Sequence, residues 1–231
     1  MTVLLTGVGA RGQVGEAVAD AFAQLGASLV LVDRTAEHVA ERAATLVAAG
    51  HQADGYACDL TNAEQVAGLA ESVRGRHGER LDAVVHMAGG FAMSGPVADS
   101  SLDVWHRQLS INLTTAYLTA RAFLPFVRAA RGAIVFFASP AALPGARTAE
   151  MSAYAAAKSG VVALMRAIAA EERPHGVRAN AIAPAAIRTT SNIQSMGADA
   201  RFVEREQVAS LVTFLCSERA SAISGTVVPL S

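Results

Sequence analysis

One pair of side chains in this sequence has the types and separation that suit proton transfer: Tyr154 and Lys158, in the run Ser152-Ala-Tyr154-Ala-Ala-Ala-Lys158. The run is alanine-rich and favours a helix, and at a separation of four both side chains leave one helical face, a turn apart. A free phenol ionises near pH ~10 and is a poor acid or base at neutrality, whereas a close ammonium favours its ionised form. Lowering that value by roughly three pH units takes about 4 kcal/mol, within reach of one cation in a partly dry pocket helped by a positively charged cofactor. Lys158 is the only lysine among 19 basic residues, and there are three tyrosines in 231 residues, so coincidence is an unattractive account of the pairing. A half-buried tyrosine beside a solvated lysine is the competing reading.

The elements that would position this pair begin with a second chemical signature. Thr2 to Thr6 is a short apolar run, followed by Gly7-Val-Gly9-Ala-Arg11-Gly12-Gln13-Val14-Gly15 and then a helical pattern of Val14, Val18, Phe22 and Leu25. Strand, glycine loop and helix in this order suit a dinucleotide, because glycine lets backbone N–H groups approach a pyrophosphate whose charge rests on the helix N-terminus. The next strand, Ala27 to Val32, ends in Asp33, 21 residues after Gly12 and near the spacing at which an acid meets an adenosine ribose hydroxyl. Asp33 would repel a 2′-phosphate and favours NAD, while Arg34, or Arg11 in the loop, could attract one and keeps NADP open.

Strands and helices then alternate. Helices are expected at about 36–49, 63–76, 152–172 and 206–217, and strands over 81–87, 132–139, 177–183 and 226–230, with another ending at Cys58-Asp59-Leu60. The stretch 101–130 reads as helix interrupted by Ser110-Ile-Asn112 and Pro125. This rhythm is that of a single α/β domain over 1–231, with a parallel sheet covered by helices on both faces. Gly26, Gly50 and Gly78 fall where helix C-terminal caps would, and Ala88-Gly89-Gly90 opens a turn at a strand's carboxyl end, where open α/β sheets bind ligands.

Composition narrows the function. Hydrophobic residues make up 52% and charged residues 17%, which fits a well-buried sheet and further apolar surface lost in an oligomer. A net charge of −1 without a basic tract argues against nucleic acid as a partner. Cys58 and Cys216 lack metal-site spacing and read as reduced core thiols. With no basic leader and no uninterrupted apolar run approaching ~18 residues, the expectation is a soluble cytoplasmic protein with no membrane contact.

Taken together, the Thr6-Gly7 loop, Asp59, Ala88-Gly89, Asn112, Ser139, Tyr154-x-x-x-Lys158, Pro184 and Thr189 resemble, in order and near-family spacing, the short-chain dehydrogenase/reductase family across essentially the whole chain. The resemblance implies a single-domain Rossmann fold, a doubly wound parallel sheet of about seven strands, and hydride transfer between NAD(P)(H) and a secondary alcohol or ketone. It makes Tyr154 the general acid/base, with Lys158 holding the nicotinamide ribose and lowering the tyrosine's pKa. Ser139 would hydrogen-bond the substrate oxygen, and Asn112 would position a water linking Lys158 to solvent. It sets the cofactor against Gly7, Gly9, Arg11, Gly12, Gln13 and Val14 of the loop, Asp33 and Arg34 at the ribose, and Asp59 and Leu60 at the adenine. Ala88 and Gly89 would line it, with Pro184, Ile187 and Thr189 at the nicotinamide. It also implies a homodimer or homotetramer formed through the helices at about 101–130 and 152–172.

The departures are informative. Gly9, Gly12 and Gly15 step by three, making the loop longer than the commoner family form, and His86-Met87-Ala88-Gly89 stands where N-N-A-G is usual, with His86 read as a core histidine. A small insertion falls within Ala142–Ala149, Pro184-Ala185 replaces the usual P-G, and the substrate lid, about 189–206, is short. Phe91, Met93, Leu143, Met151, Ile193 and Met196 could make the pocket apolar. The alternatives are a nucleotide-binding regulatory or scaffolding protein with little catalysis, and an epimerase using bound cofactor transiently.

Overall fold

The computed structural model describes residues 1–231. Strands and helices run β1 (Thr2–Thr6), α1 (Val14–Gln24), β2 (Ser28–Asp33), α2 (Ala36–Ala48), β3 (Gln52–Ala57), α3 (Ala63–His77) and β4 (Ala83–His86). The second half continues with α4 (Leu102–Gln108), α5 (Thr115–Ala130), β5 (Ala133–Phe137), α6 (Ser152–Glu171), β6 (Arg178–Pro184), α7 (Thr190–Met196), α8 (Arg205–Cys216) and β7 (Val227–Leu230). One seven-stranded sheet results, in the order β3-β2-β1-β4-β5-β6-β7, with every pairing parallel.

The strand sequences explain why both faces are covered. Successive side chains alternate between faces, so a run with no polar position must be buried on both. Leu4, Val30, Val84, Ile134 and Ala181 pack with α3, α5 and α6 in one core cluster, while Val3, Leu29, Val85, Val135 and Ile182 pack with α1, α2 and α8 in another. Helix α6 is long and apolar enough to cross a membrane by length and composition alone. Its buried stripe of Val161, Met165 and Ile168 lies against the sheet, so it is a core helix here.

Gly26, Gly50 and Gly78 end α1, α2 and α3 with φ of 75°, 89° and 77°, as their positions predict. The expected interruption at Ser110-Ile-Asn112 is a six-residue π-helical turn, Leu109–Thr114, between α4 and α5. The expected break at Pro125 is absent: α5 runs through it to Ala130. Seven buried residues hold α5 on the sheet, and that packing outweighs the lost backbone bond. The strand expected to end at Cys58-Asp59-Leu60 stops at Ala57, although Cys58 N still donates to Asp33 O at 2.9 Å.

Candidate active site

Strand order reverses between β1, whose successor lies on one side, and β4 on the other, and a cleft of about 530 Å³ opens at that switch point. Its floor is made by two backbones in close approach. A β-carbon on Gly7 (φ 69°) would lie 2.6 Å from Ala88 Cα and N, so only glycine lets the first loop pass the turn after β4. Gly7, Gly9, Gln13 and Val14 line one wall, and Met87, Ala88, Gly89 and Gly90 the other.

The glycine loop offers an anion less than its sequence promised at one position and enough at the next. Gly12 N already donates to Glu16 Oε2 at 2.8 Å, and the Arg11 side chain is 83% exposed, so neither Gly12 nor Arg11 faces the cleft as expected. The reason is Glu16, which the sequence reading passed over. It also accepts from Arg42 at 2.7 Å and Arg205 at 3.0 Å, tying the loop to α2 and α8. Burial pushes the Glu16 carboxyl up, but the Arg42 hydrogen bond and the Gly12 N–H outweigh it and hold the group below its usual range. The next N–H groups, of Val14 and Gly15 in the first turn of α1, have no partner within the protein. They form the cradle that suits a pyrophosphate.

Gly15 fixes that cradle, because a β-carbon there would collide with Val8 O and lie 2.5 Å from Val8 Cα. Gly15→Ala is therefore expected to cost about 2–3 kcal/mol of stability and to weaken dinucleotide binding, read by thermal melting and by titration of cofactor fluorescence.

At the far end, Asp33 lines the cleft with its carboxylate engaged by Gly9 N at 2.9 Å and Thr35 N at 3.0 Å. Both oxygens keep lone pairs for ribose hydroxyls. Arg34, Asp59 and Leu60 stand beside it as expected, and hydrogen bonds from Thr61 hold the Asp59 carboxyl below its usual range. Arg107, Ile111 and Thr115 form an unforeseen wall opposite. Their spacing of four was the available signal, hidden among the apolar residues of 101–130.

Asn112, Lys158 and the turn after β4 converge. A β-carbon on Gly89 would lie 2.5 Å from Asn112 Oδ1 and 3.3 Å from Lys158 Nζ. Asn112 makes no hydrogen bond to Lys158; its amide braces the turn, accepting from Gly90 N at 3.1 Å and donating to Gly90 O at 2.9 Å and Gln108 O at 3.0 Å. Lys158 is buried and donates to Phe137 O at 2.8 Å. Burial pushes its pKa down to about 8. Tyr154 lies a turn earlier on α6 with the Lys158 ammonium 5.9 Å from its ring centroid. Contrary to expectation its pKa is raised, because burial dominates and only the neighbouring Ser139 hydroxyl pulls it back. The ammonium is held by a carbonyl rather than aimed at the phenol.

His86 is the core histidine expected. Nδ1 is 3.0 Å from Thr6 Oγ1 and Nε2 3.3 Å from Thr115 Oγ1, and burial, with the Lys158 charge nearby, pushes its pKa down to about 3. Thr115 donates to Ile111 O at 2.9 Å, so the neutral ring donates to Thr115 from Nε2 and accepts from Thr6 at Nδ1.

Phe91 stands edge-on to Tyr154 with ring centroids 5.0 Å apart and is itself exposed, an apolar wall beside the phenol. Its loop is pinned to the start of α6: Glu150, a non-glycine residue at φ 60°, accepts at its carbonyl from Ser94 N at 2.7 Å and Gly95 N at 3.1 Å. The lid is short and fastened. Thr190 N donates to Gly12 O at 3.1 Å, Ser191 Oγ to Gln13 Oε1 at 3.0 Å, and Thr189 Oγ1 caps α7 by accepting from Asn192 N. Ile187 pairs with Val203, and Pro184 ends β6 beside the strand that leads to Ser139. Pro184, Ile187 and Thr189 lie outside the enclosed part of the cleft.

The chain matches the family model described as enoyl-(acyl carrier protein) reductase over residues 7–230. It is 33% identical, over 99% of its length and 91% of the other's, to (5R,7aS)-5-hydroxy-7a-methyl-1-oxo-2,3,5,6,7,7a-hexahydro-1H-indene-carboxyl-CoA reductase of Mycobacterium tuberculosis. Among solved structures, L-sorbose reductase from Gluconobacter frateurii, complexed with NADPH and L-sorbose, superposes with a TM-score of 0.90 at 26% identity, covering 100% of this chain and 94% of that one. A 3-oxoacyl-(acyl-carrier protein) reductase with bound NAD from Brucella melitensis gives 0.85 at 30% identity, covering 99% and 88%.

Proposed function

Because the chain belongs to the short-chain dehydrogenase/reductase family and is a hydride-transfer oxidoreductase of it, we propose that it uses NAD in preference to NADP, interconverts a secondary alcohol and a ketone, and employs Tyr154 as the general acid/base. The observation that carries this reading is that Tyr154, with the Ser139 hydroxyl beside it, stands one helical turn before the buried Lys158, whose ammonium lies next to Gly89 in the lining of the cleft.

The residues present fit a dinucleotide. The cleft volume lies within the range of ligand pockets, and the Val14 and Gly15 N–H groups await an anion. When bound, the nicotinamide ring supplies or takes up the hydride. Tyr154 delivers its hydroxyl proton to the oxygen of the carbonyl being reduced, or removes the hydroxyl proton of the alcohol being oxidised. Ser139 donates a hydrogen bond to that oxygen as charge develops. Burial keeps Tyr154 protonated at rest, the form needed for reduction. Oxidation needs the phenolate, which Lys158 favours on releasing Phe137 O. Asn112 holds the Gly89–Gly90 turn in place and leaves a water to complete the path from Lys158 to solvent.

Asp33 supports the preference for NAD, since its carboxylate faces the end of the cleft where a 2′-phosphate would sit. NADH is expected to bind at least tenfold tighter than NADPH in fluorescence titration, and Asp33→Ser to narrow the gap. Tighter binding of NADPH by the unaltered protein would refute the preference. We place the enzyme in the cytoplasm as a homodimer or homotetramer, the exposed Tyr117 and the neighbouring faces of α5 and α6 supplying the contact. The Lys158–Phe137 bond also suits a second reading, a nucleotide-binding regulatory protein, which tight NADH binding without turnover on any carbonyl would establish.

A further inference from the structure

We propose that an arginine-lined cavity at the amino ends of β4 to β7 binds a small polyanion carrying two or more phosphate groups, at a site separate from the cofactor cleft. The cavity, about 1120 Å³, is about twice the volume of the cleft. Gly132 before β5, Val177 and Arg178 entering β6, and Ser224 and Gly225 before β7 border it. In an all-parallel sheet these positions lie at the end opposite Ser139 and Pro184.

Three guanidinium groups on its wall have nothing to bind. Arg131, Arg166 and Arg173 have no carboxylate within 4.0 Å and no hydrogen bond to the protein, whereas eight of the other arginines are ion-paired. Arg178, on the same wall, is spoken for by Leu215 O at 2.7 Å and by Ser217 O and Ala220 O at 3.1 Å. The nearby carboxylates are spoken for as well. Asp82 accepts from Thr2 N at 2.7 Å and lies 3.5 Å from Arg80, and Glu172 is gripped by Arg128 at 2.6 and 2.9 Å. Glu218 alone is left against three cations.

Local backbone geometry favours the arrangement. Arg131 ends α5 in the left-handed region at φ 55°, where glycine is the easy choice, and so carries a long cationic side chain at a strained position. Opposite it, Gly176 (φ 75°) leaves the room that side chain needs, since a β-carbon there would lie 3.1 Å from Arg131 Nε. One residue supplies the guanidinium and the other clears its path.

Like charges gathered without a counter-charge repel, and an anion relieves that repulsion. A planar guanidinium binds phosphate through paired N–H groups. With the three arginines on separate stretches, the α5 terminus, the α6 surface and the turn after α6, one compact phosphate engages fewer of them than a di- or triphosphate. Net charge of −1 and the confinement of the cations to one cavity favour a small molecule over nucleic acid.

Tripolyphosphate is the probe, titrated calorimetrically at ~0.15 M salt, where weak surface attraction is screened. The titration is run on the protein alone and saturated with NADH, so the result stands whether or not the coenzyme assignment holds. Saturable binding is expected in both, at least tenfold tighter than orthophosphate. Arg166→Glu and Arg173→Glu, both at exposed positions, should each weaken it at least tenfold, while Arg34→Ala in the cofactor cleft leaves it unchanged. Absence of binding at millimolar probe, affinity unchanged from the unaltered protein in both charge-reversed proteins, or displacement by NADH would each overturn the proposal.

Discussion

Replacing Tyr154 by phenylalanine is expected to lower kcat/KM about 10²–10⁴-fold while changing the dissociation constant of NADH by less than about twofold. Phenylalanine keeps the ring, its edge-on contact with Phe91 and its place on α6, and removes only the hydroxyl that meets Ser139. The loss therefore belongs to the chemical step. Because the buried phenol is protonated at rest, reduction by the unaltered enzyme should weaken as pH rises towards the phenol's ionisation and oxidation should strengthen. If Tyr154→Phe turned over a proven substrate at the original rate, the general acid/base assignment would be wrong.

Lys158→Met should also abolish turnover, yet raise the melting temperature of the cofactor-free protein at pH 7. Lys158 is buried with a single hydrogen bond, and its pKa falls from 10.5 to about 8. Between those values the unfolded chain holds the proton more tightly than the folded one, so the wild-type protein gains stability as pH rises from 8 to 10.5. Below pH ~8 the whole cost of burying the ammonium is felt, an upper figure of roughly 3 kcal/mol. Methionine fills similar space without the charge but leaves Phe137 O unbonded, which takes back about 1 kcal/mol. A net gain of about 1–2 kcal/mol corresponds to a few degrees in Tm for a chain of this length. The gain should shrink as the pH of the melt approaches 10.5, and a lower Tm for the variant at pH 7 would contradict it.

The sheet was legible because its strands have no polar face: Leu29-Val-Leu-Val32 and Ala133-Ile-Val-Phe-Phe137 cannot be satisfied by a single covered side. The convergence of Tyr154, Lys158 and Ser139 was legible from spacing and order. Pairing choices made by long side chains were not. Nothing in the spacing of Gly12 announces that Glu16 will take its N–H, because that choice depends on Arg42 and Arg205 arriving from α2 and α8. The direction of the Lys158 ammonium was hidden for the same reason, being decided by a carbonyl 21 residues away. Pro125 misled because a local rule about one missing N–H was applied to a helix held by tertiary packing.

The lid is fastened where the pyrophosphate is expected. Thr190 and Ser191 grip Gly12 and Gln13, and Arg205 at the lid's end holds Glu16 behind the same loop. A dinucleotide settling into that cradle would therefore meet the very loop to which the cover is fastened. Such an arrangement would enforce an itinerary, with the nucleotide first in and last out.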